Sequence, residues 1–295
     1  MKRIPFTSTI LSGIAAVTFL GMISCVSPNE MPPDFIITGE SGDSLETMLT
    51  PYIEKMMVAY DLPGLSIGVV LENEIVYAKA FGSQNIEILE PVTIRSLFHM
   101  ASISKPFVAT AVMQLVEQGK LGLEDPVIRY IPYFHLEGGP YDSITIRQML
   151  NHIAGMPDVL DYEWENPVYD DGALEQYVRS ISGEKIIAPP GEKFAYSNMA
   201  FECLGDVIAK VSCMSFADYE KKYILDPTGM KESTFLKPDY LPENWASGHL
   251  RTIRTVAWEG YPYNRMHGPS STLHSNAIEM CNWAIINMKR GTHEG

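Results

Sequence analysis

"FHMASISKPFVATAVMQLVEQGKL", residues 98–121, places Ser102 three residues before Lys105 at the start of an amphipathic helix. Residues three apart lie on one face of a helix, so the lysine side chain can reach the serine hydroxyl. Pro106 is typical of a first helical turn, whose free peptide N–H groups stabilise negative charge nearby. Two interpretations follow. Either Ser102 is a nucleophile beside a lysine base, or a serine caps the helix and the lysine is solvated.

Ser-x-x-Lys alone is a weak signal, because the chain contains a second match at Ser182 and Lys185. The second match lies in SGEKIIAPPGEKF, whose glycines and paired prolines predict a loop. A loop fixes no distance between its serine and its lysine, so only Ser102 and Lys105 form a candidate catalytic pair. An ammonium group is a poor base, so catalysis at Ser102 also requires another polar group close by.

A second candidate site lies in PPGEKFAYSNMAFECLGDVIAKV, residues 189–211. Tyr196-Ser197-Asn198 stands there between a Pro-Gly loop and an amphipathic helix, and it is the only Tyr-x-Asn in the chain. A phenol can pass protons between a serine, a lysine and a leaving group, and an asparagine amide can orient a lysine or bind a substrate carbonyl. The alternative is that Tyr196 is a packing residue and Asn198 a helix cap.

Six blocks of the sequence, from about Gly42 to the chain end, resemble the penicillin-recognising serine hydrolases. That family includes class C β-lactamases, D-Ala-D-Ala carboxypeptidases and related esterases and D-aminopeptidases, and Ser-x-x-Lys is its nucleophile motif. The blocks are DLPGLSIGVVLENEIVYAKAFG, FHMASISKPFVATAVMQLVEQGKLGLEDPV, ITIRQMLNHIAGMPD, PPGEKFAYSN, DPTGMKESTF and HGPSSTLHSNAIEMCNWA.

The resemblance implies a role for each candidate residue. Ser102 would be the nucleophile, Lys105 and Tyr196 would take its proton, and the chemistry would be acyl transfer through an acyl-enzyme. Asn198 would bind the substrate. The resemblance implies no metal or organic cofactor. His152 lies in the block NHIAGMPD, and we expect it to be a cap or core residue and not a catalytic one.

The fold class implied is α/β (α+β): an antiparallel sheet flanked by helices, joined to a mainly helical subdomain. A helix is predicted from Asp43, with Pro51 kinking or dividing it, and residues 65–82 predict a hairpin that turns at residues 72–74. Further helices are predicted at about residues 104–118, 146–152, 173–181, 199–211, 215–224 and 276–288. The predicted buried side of the first of these is Ala109, Val112, Met113 and Val116, followed by Leu121.

The family's third motif, Lys-Thr-Gly, does not occur in the chain. Two looser matches occur in the sequence. The match at residues 258–260 precedes the HGPSST block, where the family does not place this motif, and the match at residues 293–295 has no predicted strand around it. We reject both. The family's C-terminal strands, which complete the sheet begun by residues 65–81, would follow Gly295. We therefore interpret residues 43–295 as a hydrolase domain truncated at its C-terminus, with a weak or absent oxyanion hole and an open sheet edge prone to association.

The N-terminus has the pattern of an export signal. Two basic residues precede an apolar run at residues 10–23, too short for the roughly 20 residues that span a bilayer. We predict a signal peptide at residues 1–24 and a tether, rich in Pro, Gly and Ser, at residues 25–42. Residues 22–25, Met-Ile-Ser-Cys, resemble a bacterial lipobox, which predicts a lipid on Cys25 and a periplasmic or cell-envelope lipoprotein. The alternative is an ordinary signal peptide cut nearby.

Net charge and cysteine content limit which partners, metal sites and disulfides we expect. The formal net charge of −14 repels nucleic acid, so a nucleic-acid partner is excluded. Cys203, Cys213 and Cys281 match no zinc spacing, and we expect them to be small buried hydrophobic residues, with one disulfide as the alternative.

The leading functional hypothesis is an exported serine hydrolase acting on esters, amides or cell-wall peptides. A second hypothesis is a catalytically inactive lipoprotein of the same fold that binds peptidoglycan or a muropeptide. A third is a housekeeping lipoprotein that shares only the fold. The choice of substrate depends on the loops around the pocket, so the motifs do not indicate which substrate is used.

Overall fold

The computed structural model describes residues 34–238, 243–258 and 260–292. The predicted signal peptide at residues 1–24 and the predicted lipid site at Cys25 lie outside the described residues, as does the predicted tether up to residue 33. From there the chain enters a short strand, β1 (Ile36–Ile37), and a helix, α1 (Gly39–Tyr60). The helix thus begins before the predicted Asp43, inside the stretch assigned to the tether. Pro51 lies within α1 and does not divide it.

The main sheet is antiparallel and contains β1, β2 (Gly64–Leu71), β3 (Glu74–Asn85) and β4 (Glu90–Pro91). Its strand order is β1-β3-β2, and β4 also pairs with β3. The predicted hairpin is confirmed: β2 and β3 are joined at Glu72 and Asn73, with φ of 50° and 66°. Positive φ at both positions is typical of a two-residue hairpin turn. Among the described strands, none pairs with the outer edge of β2.

The rest of the described chain contains seven α-helices, four short strands and the loops and short 3-10 and π-helical turns that connect them. The strands are β5 (Phe98–His99), β6 (His249–Arg251), β7 (Thr255–Ala257) and β8 (His274–Ser275), of which β5 pairs with β8 and β6 with β7. The helices are α2 (Lys105–Glu117), α3 (Ile146–Leu150), α4 (Ala173–Ser180), α5 (Asn198–Ser212), α6 (Phe216–Glu220), α7 (Gly268–Ser271) and α8 (Ala277–Met288). Within the described ranges, no helix is both long and apolar enough to span a bilayer.

Side-chain caps fix several of the predicted helix starts. Thr145 and Gln148 form a reciprocal capping box at α3, as the Thr145 cap predicts. Asn276 accepts a hydrogen bond from the peptide N–H of Glu279 and caps α8. After α6 the chain continues as a π-helical turn, Lys221–Leu225, which ends one residue beyond the helix predicted at residues 215–224.

The core is centred on α2 and α5. The buried residues of α2 are Lys105, Phe107, Val108, Ala111, Val112 and Leu115. Val112 and Leu121 are buried as predicted. Met113 is 47% exposed, so the prediction that it lies on the buried side of the helix is wrong. Helix α2 is apolar on most of its sides, so periodicity alone does not select the face that packs on α5.

The pairing of β5 with β8 brings the start of α2 against the segment before α8. The peptide N–H of Met100 donates to the carbonyl of Leu273 at 2.7 Å, and the peptide N–H of Leu273 donates to Ser104 Oγ at 3.0 Å. Two segments far apart in sequence are thereby held together beside Ser102.

The three described cysteines are free thiols. Cys203 and Cys281 are buried, as expected, whereas Cys213 is exposed at the left-handed end of α5. The alternative of a disulfide among them is not realised in this structure. Cys281 packs close to β2, because a Cβ added at Gly68 would lie 2.4 Å from its sulfur.

Candidate active site

The hydroxyl of Ser102 lies between the two polar groups that the sequence analysis paired with it. Nζ of Lys105 donates to Ser102 Oγ at 3.0 Å. The phenol oxygen of Tyr196 lies 2.8 Å from the same Oγ. Both distances are those of good hydrogen bonds. The structure therefore brings together Ser102, Lys105 and Tyr196, although Tyr196 is 94 residues from the serine in sequence.

The backbone in front of α2 presents Ser102 at the surface. Ser102 lies in a 3-10 turn, Ala101–Ser104, that leads directly into α2 at Lys105. Ala101 has φ of 47°, in the left-handed region that is unfavourable for a residue with a Cβ. Strained backbone of this kind clusters at functional sites. Ser102 is exposed, whereas Lys105 is only 6% exposed.

The amine of Lys105 contacts uncharged groups. Its Nζ donates to Ser102 Oγ and, at 2.8 Å, to the backbone carbonyl of Ser270. The rings of Tyr196 and Phe201 lie beside it, with their centroids 5.1 and 5.6 Å from Nζ. Two hydrogen bonds and two rings thus fix the amine against the nucleophile.

His152 supports Tyr196 from the other side. The two rings stack with centroids 4.3 Å apart, and His152 Nδ1 accepts a hydrogen bond from the peptide N–H of Ser197 at 3.2 Å. Burial, followed by the positive charge of Lys105, lowers the pKa of His152 against an opposing effect of Asp158. A neutral His152 therefore packs against the site, and it makes no hydrogen bond to Ser102 in the structure.

Asn198, the predicted substrate-binding residue, is bound to a carboxylate. Its Nδ2 and its peptide N–H both donate to Asp158 Oδ1, at 2.9 and 2.7 Å. Its side chain is mostly buried, with 8% exposure. The cap of α5 is Ser197, whose Oγ accepts from the peptide N–H of Ala200, so the alternative of Asn198 as the cap is wrong. The contact expected between Asn198 and the lysine is made instead by the Ser270 carbonyl.

Several functional candidates were missed by sequence reasoning. Asp158 closes the NHIAGMPD block, and Ser270 lies in HGPSST, which contains the short helix α7. Glu202 is fully buried and bonds to Ser270 and His267. No motif spacing distinguishes these residues, because each contacts the site across tens of residues of sequence.

A cavity of about 420 Å³ opens beside Ser102. Tyr162, Trp164 and Trp258 form an aromatic wall, and His99 and His249 add imidazole groups. No Asp, Glu, Lys or Arg is among the described residues that line it. Burial lowers the pKa of His99 to about 4, so this ring is neutral near neutral pH. The cavity is suited to an uncharged group.

A larger cavity lies elsewhere. A groove of about 790 Å³ follows the outer edge of β2 and one side of α8, and none of Ser102, Lys105 and Tyr196 lines it. Ser102 lines the smaller cavity, which is therefore the candidate active-site cleft.

The structure describes only some residues of the two rejected matches to the third motif. Trp258 follows β7 and lines the cavity at Ser102, whereas Glu259 and residues 293–295 lie outside the described residues. Their rejection remains a prediction. In the described part of the chain, no cluster of three or more His, Cys, Asp or Glu residues is arranged to hold a metal ion.

Comparison with known proteins shows the family to which this chain belongs. The family model described as Beta-lactamase matches residues 49–294. The chain belongs to that family, which confirms the resemblance to serine β-lactamase-related proteins.

Three relatives illustrate the breadth of the match. Protein flp of Staphylococcus aureus (strain MW2) is 27% identical over 249 residues, covering 84% of this chain and 49% of the relative. Penicillin-binding protein 4* of Bacillus subtilis (strain 168) is 34% identical over 191 residues, covering 63% and 41%. The octameric penicillin-binding protein homologue from Pyrococcus abyssi superposes with a TM-score of 0.72 at 29% identity, covering 85% and 57%.

The structural match confirms the predicted fold class of an antiparallel sheet with helices and a mainly helical subdomain. The chain spans about half the length of the curated relatives it matches.

Proposed function

We propose that the protein is a serine hydrolase that forms an acyl-enzyme on Ser102. The observation that best supports this is the position of Ser102 Oγ, within 3.0 Å of both Lys105 Nζ and Tyr196 OH. A hydroxyl placed between two proton acceptors is the arrangement that nucleophilic catalysis requires. Membership of the Beta-lactamase family supports the same chemistry.

The reaction divides into two steps. In the first, the Ser102 proton passes to the Lys105–Tyr196 pair as Oγ bonds to the substrate carbonyl carbon. The bond to the leaving group breaks, and Tyr196 returns a proton to that group. In the second, water gives a proton to the same pair and its oxygen bonds to the acyl carbon. The bond to Oγ breaks, the acid leaves, and Ser102 regains its proton.

The substrates we propose are esters, amides or cell-wall peptides whose acyl group is uncharged where it enters the cavity. The aromatic wall of Tyr162, Trp164 and Trp258 supports an apolar or planar group there. Two of the relatives are named as penicillin-binding proteins, which makes a β-lactam a suitable second probe.

A fluorophosphonate probe tests the proposal, because its phosphorus bonds to an activated serine oxygen as fluoride leaves. We expect the intact mass of the protein to increase by the mass of one probe less HF, because the serine proton and the fluoride both leave, and we expect Ser102→Ala to abolish the increase. Ser182→Ala is the matched control, since Ser182 begins the other Ser-x-x-Lys sequence and lies in an exposed turn. It should label as the wild type does.

The competing hypothesis is an inactive binding protein of the same fold. Wild-type protein that gains no mass from the probe, yet binds a muropeptide in calorimetry, would favour that hypothesis and refute the hydrolase. Loss of labelling in Lys105→Ala, with folding intact by circular dichroism, would add support for the proposed base.

We further propose that the protein is exported and anchored to a membrane by a lipid on Cys25. The basic start, the short apolar run and the lipobox-like residues 22–25 support this. Metabolic labelling with a radioactive fatty acid tests it. We expect labelled protein in the membrane fraction and no label on Cys25→Ser, whereas equal labelling of the two would refute the lipid site.

A further inference from the structure

Glu202 is a fully buried acidic residue whose position the acyl-transfer scheme does not explain. It lies on α5, with 0% of the residue exposed. Burying an ionised carboxylate is costly unless hydrogen-bond donors surround it. Ser270 supplies two such donors to Glu202, and a ring nitrogen of His267 lies within hydrogen-bond distance. Its Oε1 accepts from Ser270 Oγ at 2.5 Å and lies 3.2 Å from His267 Nδ1, and its Oε2 accepts from the peptide N–H of Ser270 at 3.2 Å.

Ser270 connects this carboxylate to the catalytic lysine. Its hydroxyl and its peptide N–H face Glu202, while its carbonyl oxygen accepts from Lys105 Nζ at 2.8 Å. The carboxylate and the amine therefore bind the same residue of α7. We therefore expect a change at Glu202 to shift the carbonyl that holds the lysine.

The orientation of that lysine matters for proton transfer. When Lys105 acts as the base, its amine is neutral and has two N–H bonds and one lone pair, so a carbonyl that accepts one N–H directs where the lone pair points. In this structure, the Ser270 carbonyl is the backbone acceptor for Lys105, and Ser102 Oγ is its other partner. Small errors in such placement cost large factors in rate.

The second fully buried glutamate of the described chain shows that burial alone does not produce this arrangement. Glu220, at the end of α6, is also 0% exposed, but neither of its carboxylate oxygens has a hydrogen-bond partner in the described structure. Burial raises the pKa of Glu220 well above its usual value, so it is a neutral packing group. Glu202, in contrast, accepts two hydrogen bonds from Ser270 and lies within hydrogen-bond distance of a ring nitrogen of His267.

We propose that Glu202 is a positioning residue for Lys105, acting through the two hydrogen bonds by which it fixes Ser270. This proposal rests on the proposed serine-hydrolase function. Glu202 touches neither substrate nor nucleophile. It sets the carbonyl that orients the base.

Fluorophosphonate labelling of the full chain tests the proposal, with the maximal labelling rate (kinact) and the half-saturating probe concentration (KI) measured separately. We expect Glu202→Gln to lower kinact by at least about tenfold, because an amide NH₂ replaces an acceptor facing a Ser270 donor. We expect KI to change less than about twofold, since Glu202 does not line the cavity. Glu202→Asp keeps the carboxyl group and should recover part of kinact.

Glu220→Gln is the matched control, and we expect it to keep the wild-type kinact and KI. If the wild type and Glu220→Gln label and Glu202→Gln labels with the same kinact, the positioning role is refuted while the hydrolase stands. If the wild type does not label, the hydrolase proposal fails and this one fails with it.

If circular dichroism shows that Glu202→Gln does not fold, Ser270→Ala tests the positioning role instead. This variant removes only the hydroxyl donor and keeps both the carboxylate and the carbonyl that binds Lys105. We expect a several-fold lower kinact with unchanged KI. An unchanged kinact in Ser270→Ala would count against the proposal.

Discussion

The imidazole ring of His152 stacks on the phenol ring of Tyr196, with centroids 4.3 Å apart and ring planes inclined by 29°. The same imidazole accepts a hydrogen bond from the peptide N–H of Ser197. One side chain therefore fixes both the tyrosine ring and the backbone that follows it. Tyr196 is 40% exposed, and its other contacts at the site are the hydrogen bond with Ser102 Oγ and the approach of Lys105 Nζ to its ring.

We expect His152→Ala to slow fluorophosphonate labelling of Ser102 by about tenfold, because Tyr196 loses the ring that holds it. His152→Phe keeps the stacking surface but lacks the nitrogen acceptor, so it should label faster than the alanine variant. His152 has φ of 56°, and neither replacement relieves that strain, which makes the two variants comparable. Labelling at the wild-type rate in His152→Ala would show that the stack has no role.

Asp158 offers a test of how Asn198 is held. Its Oδ1 accepts from both the amide and the peptide N–H of Asn198. We expect Asp158→Ala to lower the free energy of unfolding by about 1–3 kcal/mol, because it leaves two donors of a mostly buried residue unpaired. Urea denaturation measures the change.

The control for Asp158 is Asp161→Ala in the same loop. Asp161 accepts only a local hydrogen bond from the peptide N–H of Glu163, and its loss should cost less than about 1 kcal/mol. Equal urea midpoints for the two variants would mean that the Asp158–Asn198 contact adds no stability.

Local patterns were enough to predict much of the fold and the centre of the site. The hairpin at Glu72 and Asn73 and the cap at Thr145 follow from turn and capping chemistry within a few residues. Ser102 and Lys105 are related by helical spacing alone. Tyr196 was found through a motif that no other tyrosine in the chain shares.

Contacts made across the fold could not be predicted in the same way. Ser270 binds Lys105 over 165 residues of sequence, and the motif around it has no spacing that indicates this contact. Asp158 accepts the hydrogen bond of the Asn198 side-chain amide, whereas the sequence predicted a contact between that amide and the lysine. The buried face of α2 was misjudged at Met113 because tertiary packing, and not periodicity, selects it.

His274 predicts a pH dependence of stability. Its ring is buried, stacks on Trp245, and has no hydrogen-bond partner for either nitrogen among the described residues. Burial lowers its pKa from 6.5 to about 3. The unfolded chain therefore binds a proton that the folded chain does not. This stability is fully present above pH 6.5 and is lost as pH falls towards 3, at up to about 1.4 kcal/mol per pH unit.

We expect His274→Leu to flatten the decline in unfolding free energy between pH 6.5 and 4, because leucine has a similar volume and no titratable group. Thermal or urea unfolding at several pH values measures the slope. His135→Leu, at an exposed position, should keep the wild-type slope. Identical slopes for all three proteins would rule out His274 as the source.

The outer edge of β2 predicts concentration-dependent association. No described strand pairs with it, and the adjoining groove of about 790 Å³ is lined largely by apolar residues of β2 and α8. Unpaired backbone N–H and C=O groups beside an apolar surface are a template for pairing with a second chain. A lysine on such an edge opposes pairing, because it would have to be desolvated in the contact.

We therefore expect Val70→Lys, which places a charge in the β2 groove, to raise the concentration at which the protein associates by at least about threefold. Val256→Lys is the matched control, since Val256 is 42% exposed on β7, in a separate two-stranded sheet. Sedimentation velocity across a concentration series measures the effect. If Val256→Lys shifts association as much as Val70→Lys does, added positive charge and not the β2 edge is responsible, because both variants change the net charge equally. A wild-type protein that stays monomeric at every concentration would show that the edge is not adhesive.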